Sequence, residues 1–144
     1  MEAQAGDAGL IDGLLQAMAE AGADFTNTFR ALCGAAAGDP GPVRAQFGDS
    51  AAFGAWLARW HARLASEPAS PDARAAAMRR SNPAIIPRNH RVEAALNAAA
   101  AGDLGPLDAL SQALADPWGE ASGPDDYRRP PAPDEVVRKT FCGT

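Results

Sequence analysis

Residues 78–93 read Met78-Arg79-Arg80-Ser81-Asn82-Pro83-Ala84-Ile85-Ile86-Pro87-Arg88-Asn89-His90-Arg91-Val92-Glu93. Two prolines bracket a three-residue apolar piece. Each lacks an amide hydrogen and clashes with the preceding helical turn, so Ala84-Ile85-Ile86 cannot be helix interior. Asn82 precedes a proline and is biased toward extended backbone. The stretch reads as an extended connector over 81–87 between two helical halves. Ile85 and Ile86 are expected to plug into a core, and Pro87 suits the first turn of the helix that follows.

Working back from the connector, Pro71 opens a helix over 72–80 that can turn Met78 inward. Before it lies the clearest helix in the chain, with Phe53, Trp56, Leu57, Trp60 and Leu64 at helical spacing and Asp49 or Ser50 as the cap. Gly34 to Pro42 is a loop rich in Gly, Pro and Asp, and a short turn of helix can follow over 43–47. Asp24 is placed to cap a helix to about Cys33, with Phe25, Phe29, Leu32 and Cys33 inward. A first helix over 8–21 puts Leu10, Ile11, Leu14, Leu15 and Met18 on one face and stops at Gly22.

Working forward, a helix over 88–101 carries Val92 and Leu96 inward. Gly102 ends it, and Asp103 is expected to cap the next helix, which lines up Leu104, Leu107, Leu110 and Leu114. Asp116-Pro117 stops that helix, and Trp118 is expected to fold back as an apolar lid. From Gly119 the composition turns to Ser, Gly, Pro, Asp and Arg, unsuited to a regular core, with a short turn capped by Asp134. No strand-like alternation occurs. The expected fold is all-α and bundle-like: a helical domain over 1–118, made of halves 8–80 and 88–118 about the connector 81–87, and an irregular tail over 119–144.

At 144 residues the chain is long enough to bury a real core. A net charge of −5 argues against binding nucleic acid or an anionic membrane surface, and no apolar run reaches spanning length. The polar, acidic start, Met1 to Asp7, does not read as a targeting peptide, so a cytoplasmic location is the expectation. Two distant cysteines make no disulfide framework. Cys33, on an inward helical face, reads as a buried inert thiol.

For chemistry the chain offers little. It has one lysine, Lys139, and no Gly-x-Gly-x-x-Gly turn, so a phosphate-transfer site of its own is not expected. Two isolated histidines make no metal site. Arg79, Arg80, Arg88, His90 and Arg91 could hold a phosphate at a helix start. The stronger reading is that they pair with Glu93, Asp72 or acidic groups elsewhere, while Asn82, Arg88, Asn89 and His90 fix the connector. Cys142 stands beside the terminal carboxylate, with only Arg138 and Lys139 opposing it, so it is accessible rather than activated.

Six pieces in this order, Ala23 to Arg30, Trp56 to Leu64, Met78 to Glu93, Gly102-Asp103, Pro117-Trp118 and the ending Thr140-Phe141-Cys142-Gly143-Thr144, resemble the C-terminal region of the selenoprotein O family. The resemblance runs from about Ile11 to the last residue. It implies a part of a pseudokinase-like protein adenylyltransferase, which uses ATP and magnesium to place AMP on Ser, Thr or Tyr hydroxyls of protein substrates. The family's nucleotide-binding and catalytic residues lie N-terminal to anything present here. The resemblance therefore implies no catalytic residue, bound cofactor or metal in this chain, and an N-terminal kinase-like part as its partner. Cys142 occupies the family's terminal cysteine or selenocysteine position, which implies a redox role such as a reversible disulfide. The alternative reading is a stand-alone helical interaction module.

Overall fold

A computed structural model describes residues 4–119 and 125–139. Its helices are α1 (Asp7–Ala21), α2 (Phe25–Ala36), α3 (Gly41–Ala45), α4 (Ala51–Ala65), α5 (Pro71–Ser81), α6 (Asn89–Ala100) and α7 (Gly105–Ala115), with one 3-10 turn at Asp125–Tyr127. No strand occurs among the described residues, and the fold is all-α. The chain packs as two units that part between Asn82 and Pro83. The connector is therefore divided: Asn82 closes the first unit, and residues 83–87 belong to the second.

In the first unit α1 packs on α4, and α2 packs on α3 and α5. Helix starts follow the side chains that satisfy free amides. Asp24 accepts from Asn27 N at 2.8 Å, and Ser50 accepts from Phe53 N at 3.2 Å. Ser70 does the same for Ala73 ahead of Pro71, a cap that the proline overshadows in the sequence. Removing the cap of α4 with Ser50→Ala is expected to cost about 0.5–2 kcal/mol, read as a lower urea midpoint.

The core is built on α4. Phe53 stacks between Phe47 (centroids 3.7 Å apart) and Trp56 (5.6 Å), and Leu14, Met18, Leu32, Val43 and Leu57 close around them. The Trp56 indole donates to Leu10 O at 2.7 Å, so the one polar atom of a buried ring is satisfied. Gly13 allows α1 to come this near: a Cβ there would sit 3.2 Å from Trp56 Cδ1. Gly22, at φ 61°, closes α1 with its amide directed at Ala19 O and Met18 O. Arg63 ties the start of α1 to α4 by pairing with Asp7 at 2.7 Å and also with Glu67.

Several expectations need correction. Helix α2 runs past Cys33 and Gly34 to Ala36, because buried Ala35 and Ala36 offset the cost of a helical glycine. Helix α3 begins at Gly41, ahead of the expected 43–47, with Pro42 in its first turn. Phe25 is 62% exposed; its ring leans on Phe29, 4.7 Å away, and only Phe29 turns toward the core. Ile11 and Leu15 are likewise exposed, because the apolar arc of α1 is wider than its contact with α4.

In the second unit α6 packs on α7. Ile85 is fully buried with Ala84 and Ala113, while Ile86 is only partly so. The amides of Ala84 and Ile85 both donate to Pro117 O, at 2.7 and 3.2 Å, so the connector is held by the segment after α7. Pro87 does not open α6. It precedes an extended Arg88, which occupies the cap position. Leu104, not Asp103, is the cap residue of α7, although Asp103 Oδ1 still accepts from Gly105 N at 2.9 Å. Leu96 faces out and Ala95 faces in. Trp118 is 49% exposed, so half of its surface stays open to solvent.

Candidate functional site

The described part of the tail, 125–139, is organised. Tyr127 packs against the Ala84–Ile85–Ala113 cluster. Asp126 pairs with Arg91 of α6 and with Arg129, the latter at 3.3 Å. Arg129 then forks onto Glu135 with two bonds of 2.6 and 2.7 Å, and Glu135 also accepts from Ala132 N at 2.7 Å. Residues 133–135 form the expected short turn, which holds Asp134 within it and stops before Val136. The result is a strap fastened to the start of α6.

The strap covers His90. That residue is only 8% exposed, and its Nε2 has no hydrogen-bond partner among the described residues. Two neighbouring cavities of about 280 and 340 Å³ share His90, Glu135, Val136 and Val137 in their walls. Burial holds the imidazole below its ordinary pKa; the positive charges of Arg91, Arg129 and Arg88 act the same way, against Glu135.

Glu135 is held down to about 2 by the Arg129 guanidinium and the Ala132 amide. A depressed carboxylate contributes stability that is complete above its unfolded value of 4.5 and is lost as pH falls toward 2. Fastening of the strap is therefore expected to weaken progressively below pH 4.5, and a Glu135→Gln variant is expected to have lost that acid dependence. Proton exchange at the Ala132 amide followed by NMR reads both.

The residues singled out in the sequence fall in two places. Asn82 belongs to the first unit. Its side-chain amide donates to Met78 O at 2.9 Å, its carbonyl accepts from Arg30 at 2.9 Å, and Cys33 Sγ lies 3.8 Å from Nδ2. Arg88, Asn89 and His90 open α6 in the second unit, Arg88 and His90 buried and Asn89 exposed. Arg91 pairs with Asp126, a partner not foreseen among Glu93 and Asp72. Cys33 is completely buried, donates to Phe29 O, and has its thiol pKa raised by burial. Cys142 lies outside the described residues. The clasp of Arg129 on Glu135 was missed; its only signal was opposite charges six residues apart about a proline-rich turn.

Among the described residues no three metal-ligating side chains come together. None of the described helices is long and apolar enough to cross a membrane.

No family model matches the chain. It is, however, 51% identical over 141 residues to the protein nucleotidyltransferase YdiU of Bradyrhizobium sp. (strain ORS 278), covering 96% of this chain and 29% of that protein. The YdiU proteins of Rhodopseudomonas palustris (strain BisB5) and Nitrobacter hamburgensis are 52% and 50% identical, over 98% and 96% of this chain. The chain matches the C-terminal region of proteins of the selenoprotein O family. It corresponds to the C-terminal region of those proteins and spans less than a third of their length.

Proposed function

We propose that this chain is the C-terminal, non-catalytic part of a protein adenylyltransferase that moves AMP from ATP to Ser, Thr or Tyr hydroxyls of other proteins. The observation that carries the reading is the match of nearly the whole chain to 29% of a protein nucleotidyltransferase. On this reading the ATP and magnesium chemistry belongs to a kinase-like lobe N-terminal to the matched region. The residues here do not fit that role: the only lysine is Lys139, and the described carboxylates gather into no metal-binding group. No step of the transfer is routed through this chain.

Its contribution is to brace that lobe and to present Cys142 as a redox-active thiol. Exposed apolar residues support the first part. Ile11 and Leu15 lie one turn apart on α1 and Phe25 opens α2; all three are exposed and offer apolar surface that a neighbouring part could cover. The same exposure would serve a stand-alone interaction module, so activity of a chimera that joins this chain to a kinase-like lobe, not surface character, decides between the readings. Calorimetric titration of the 144-residue chain with ATP and magnesium is expected to give no binding heat. Saturable binding would make the arginine-bearing start of α6 a nucleotide site and would overturn this division of labour.

A further inference from the structure

We infer that residues 125–139 form a proton-sensitive latch over His90, closed near neutral pH and opening more often in mild acid. The geometry has three parts. The strap is fastened by ion pairs, Arg91–Asp126, Arg129–Asp126 and Arg129–Glu135, and by Tyr127 in the apolar cluster. Under it lies an imidazole that is more than nine-tenths buried and whose Nε2 has no partner to receive or share a proton's charge. The charges facing it are Arg91 of α6, Arg88 at the cap, and Arg129 and Glu135 of the strap. Glu93 and Asp134 stand in the wall of the same cavity. Glu135 is already bound to Arg129 through both oxygens, so it is not available as a counter-ion without loosening the strap.

A proton on His90 therefore adds a buried positive charge among three guanidiniums. The cost is relieved by lifting the strap and wetting the ring. The direction follows from linkage. The closed state binds the proton more weakly than the open state, where the ordinary value near 6.5 applies. Falling pH then favours the open state, by up to about tenfold between pH 7.5 and 5.5. Glu135, held at about 2, stays ionised throughout that window and does not contribute to the change.

One consequence rests on the redox reading of Cys142 proposed above. Lys139, the last described residue, is three residues from Cys142. Three residues of chain span at most about 11 Å between Cα atoms, at no more than about 3.6 Å per residue, so a closed strap limits the reach of position 142 from Lys139. With the strap lifted back to Tyr127 the tether has fifteen residues. The latch would thus set how far the terminal thiol reaches.

The test needs no redox chemistry, so it fails or succeeds apart from that reading. Amide exchange across 128–137 is measured at pH 7.5 and 5.5, corrected for the intrinsic rate, in the whole chain and in His90→Gln. The expected result is a several-fold to tenfold rise in opening for the natural chain at pH 5.5 and none for His90→Gln. Equal opening at both pH values, or the same rise in the variant, overturns the latch. Should His90→Gln fail to fold, His61→Gln leaves His90 as the single imidazole. Its NMR titration must then fall below 6.5, and a midpoint at or above that value overturns the inference equally.

Discussion

Phe53→Ala is expected to destabilise the first unit by about 3–5 kcal/mol, enough to unfold much of it at room temperature. Phe53 is 1% exposed and lies in the middle of the aromatic stack from Phe47 to Trp56, so no neighbour can move in without breaking a second ring contact. The loss combines the transfer free energy of the ring with the cavity left behind. Urea unfolding followed by tryptophan fluorescence in a Trp118→Phe background reads this unit through Trp56 and Trp60. A change under about 1 kcal/mol would mean that the stack is not the centre of the core. Phe25→Ala serves as the contrast: the ring is 62% exposed and its removal is expected to cost much less.

Ile85→Ala is expected to cost the second unit about 2–5 kcal/mol. This side chain is 1% exposed and is the largest apolar group in a small cluster of two alanines, with Leu114 and Tyr127 at its edge. A unit with so little apolar volume has few means of refilling the space. Since Tyr127 leans on the same cluster, the variant is also expected to loosen the strap over His90. Hydrogen exchange checks both effects: protection should fall in 83–118 and in 125–139. Loss confined to the connector would show that the strap is held by its ion pairs alone.

The sequence showed the helices well because their ends are written in local chemistry. Asp24 and Ser50 accept from amides three residues on, and Gly22 adopts the left-handed conformation that closes α1. The aromatic stripe of α4 was readable for the same reason: one helix supplies both its spacing and its burial. What covers a helix face is not local. Ile11, Leu15, Phe25 and Leu96 all have helical spacing, yet each is exposed, because periodicity gives the width of an apolar arc and not the partner that meets it. The strap was hidden for a related reason. Prolines between Arg129 and Glu135 read as irregular composition, while the fork between the two side chains depends on a turn that composition does not specify.

Asn82 and His90 show the same limit at the candidate site. That Asn82 is extended followed from Pro83, and its bond to Met78 is local to the end of α5, but its bond from Arg30 depends on how α2 lies against α5. His90 was visible as a histidine at a helix start. Its burial depends on residues more than forty positions later.

The central claim, that this chain is the non-catalytic C-terminal part of a protein nucleotidyltransferase, is tested most directly by exchange of parts. The matched 29% of the Bradyrhizobium YdiU is replaced by this chain, and transfer of label from α-labelled ATP to protein is measured with magnesium present. The account predicts a soluble chimera that transfers AMP at a rate near that of the unaltered protein. A folded chimera without transfer would contradict it.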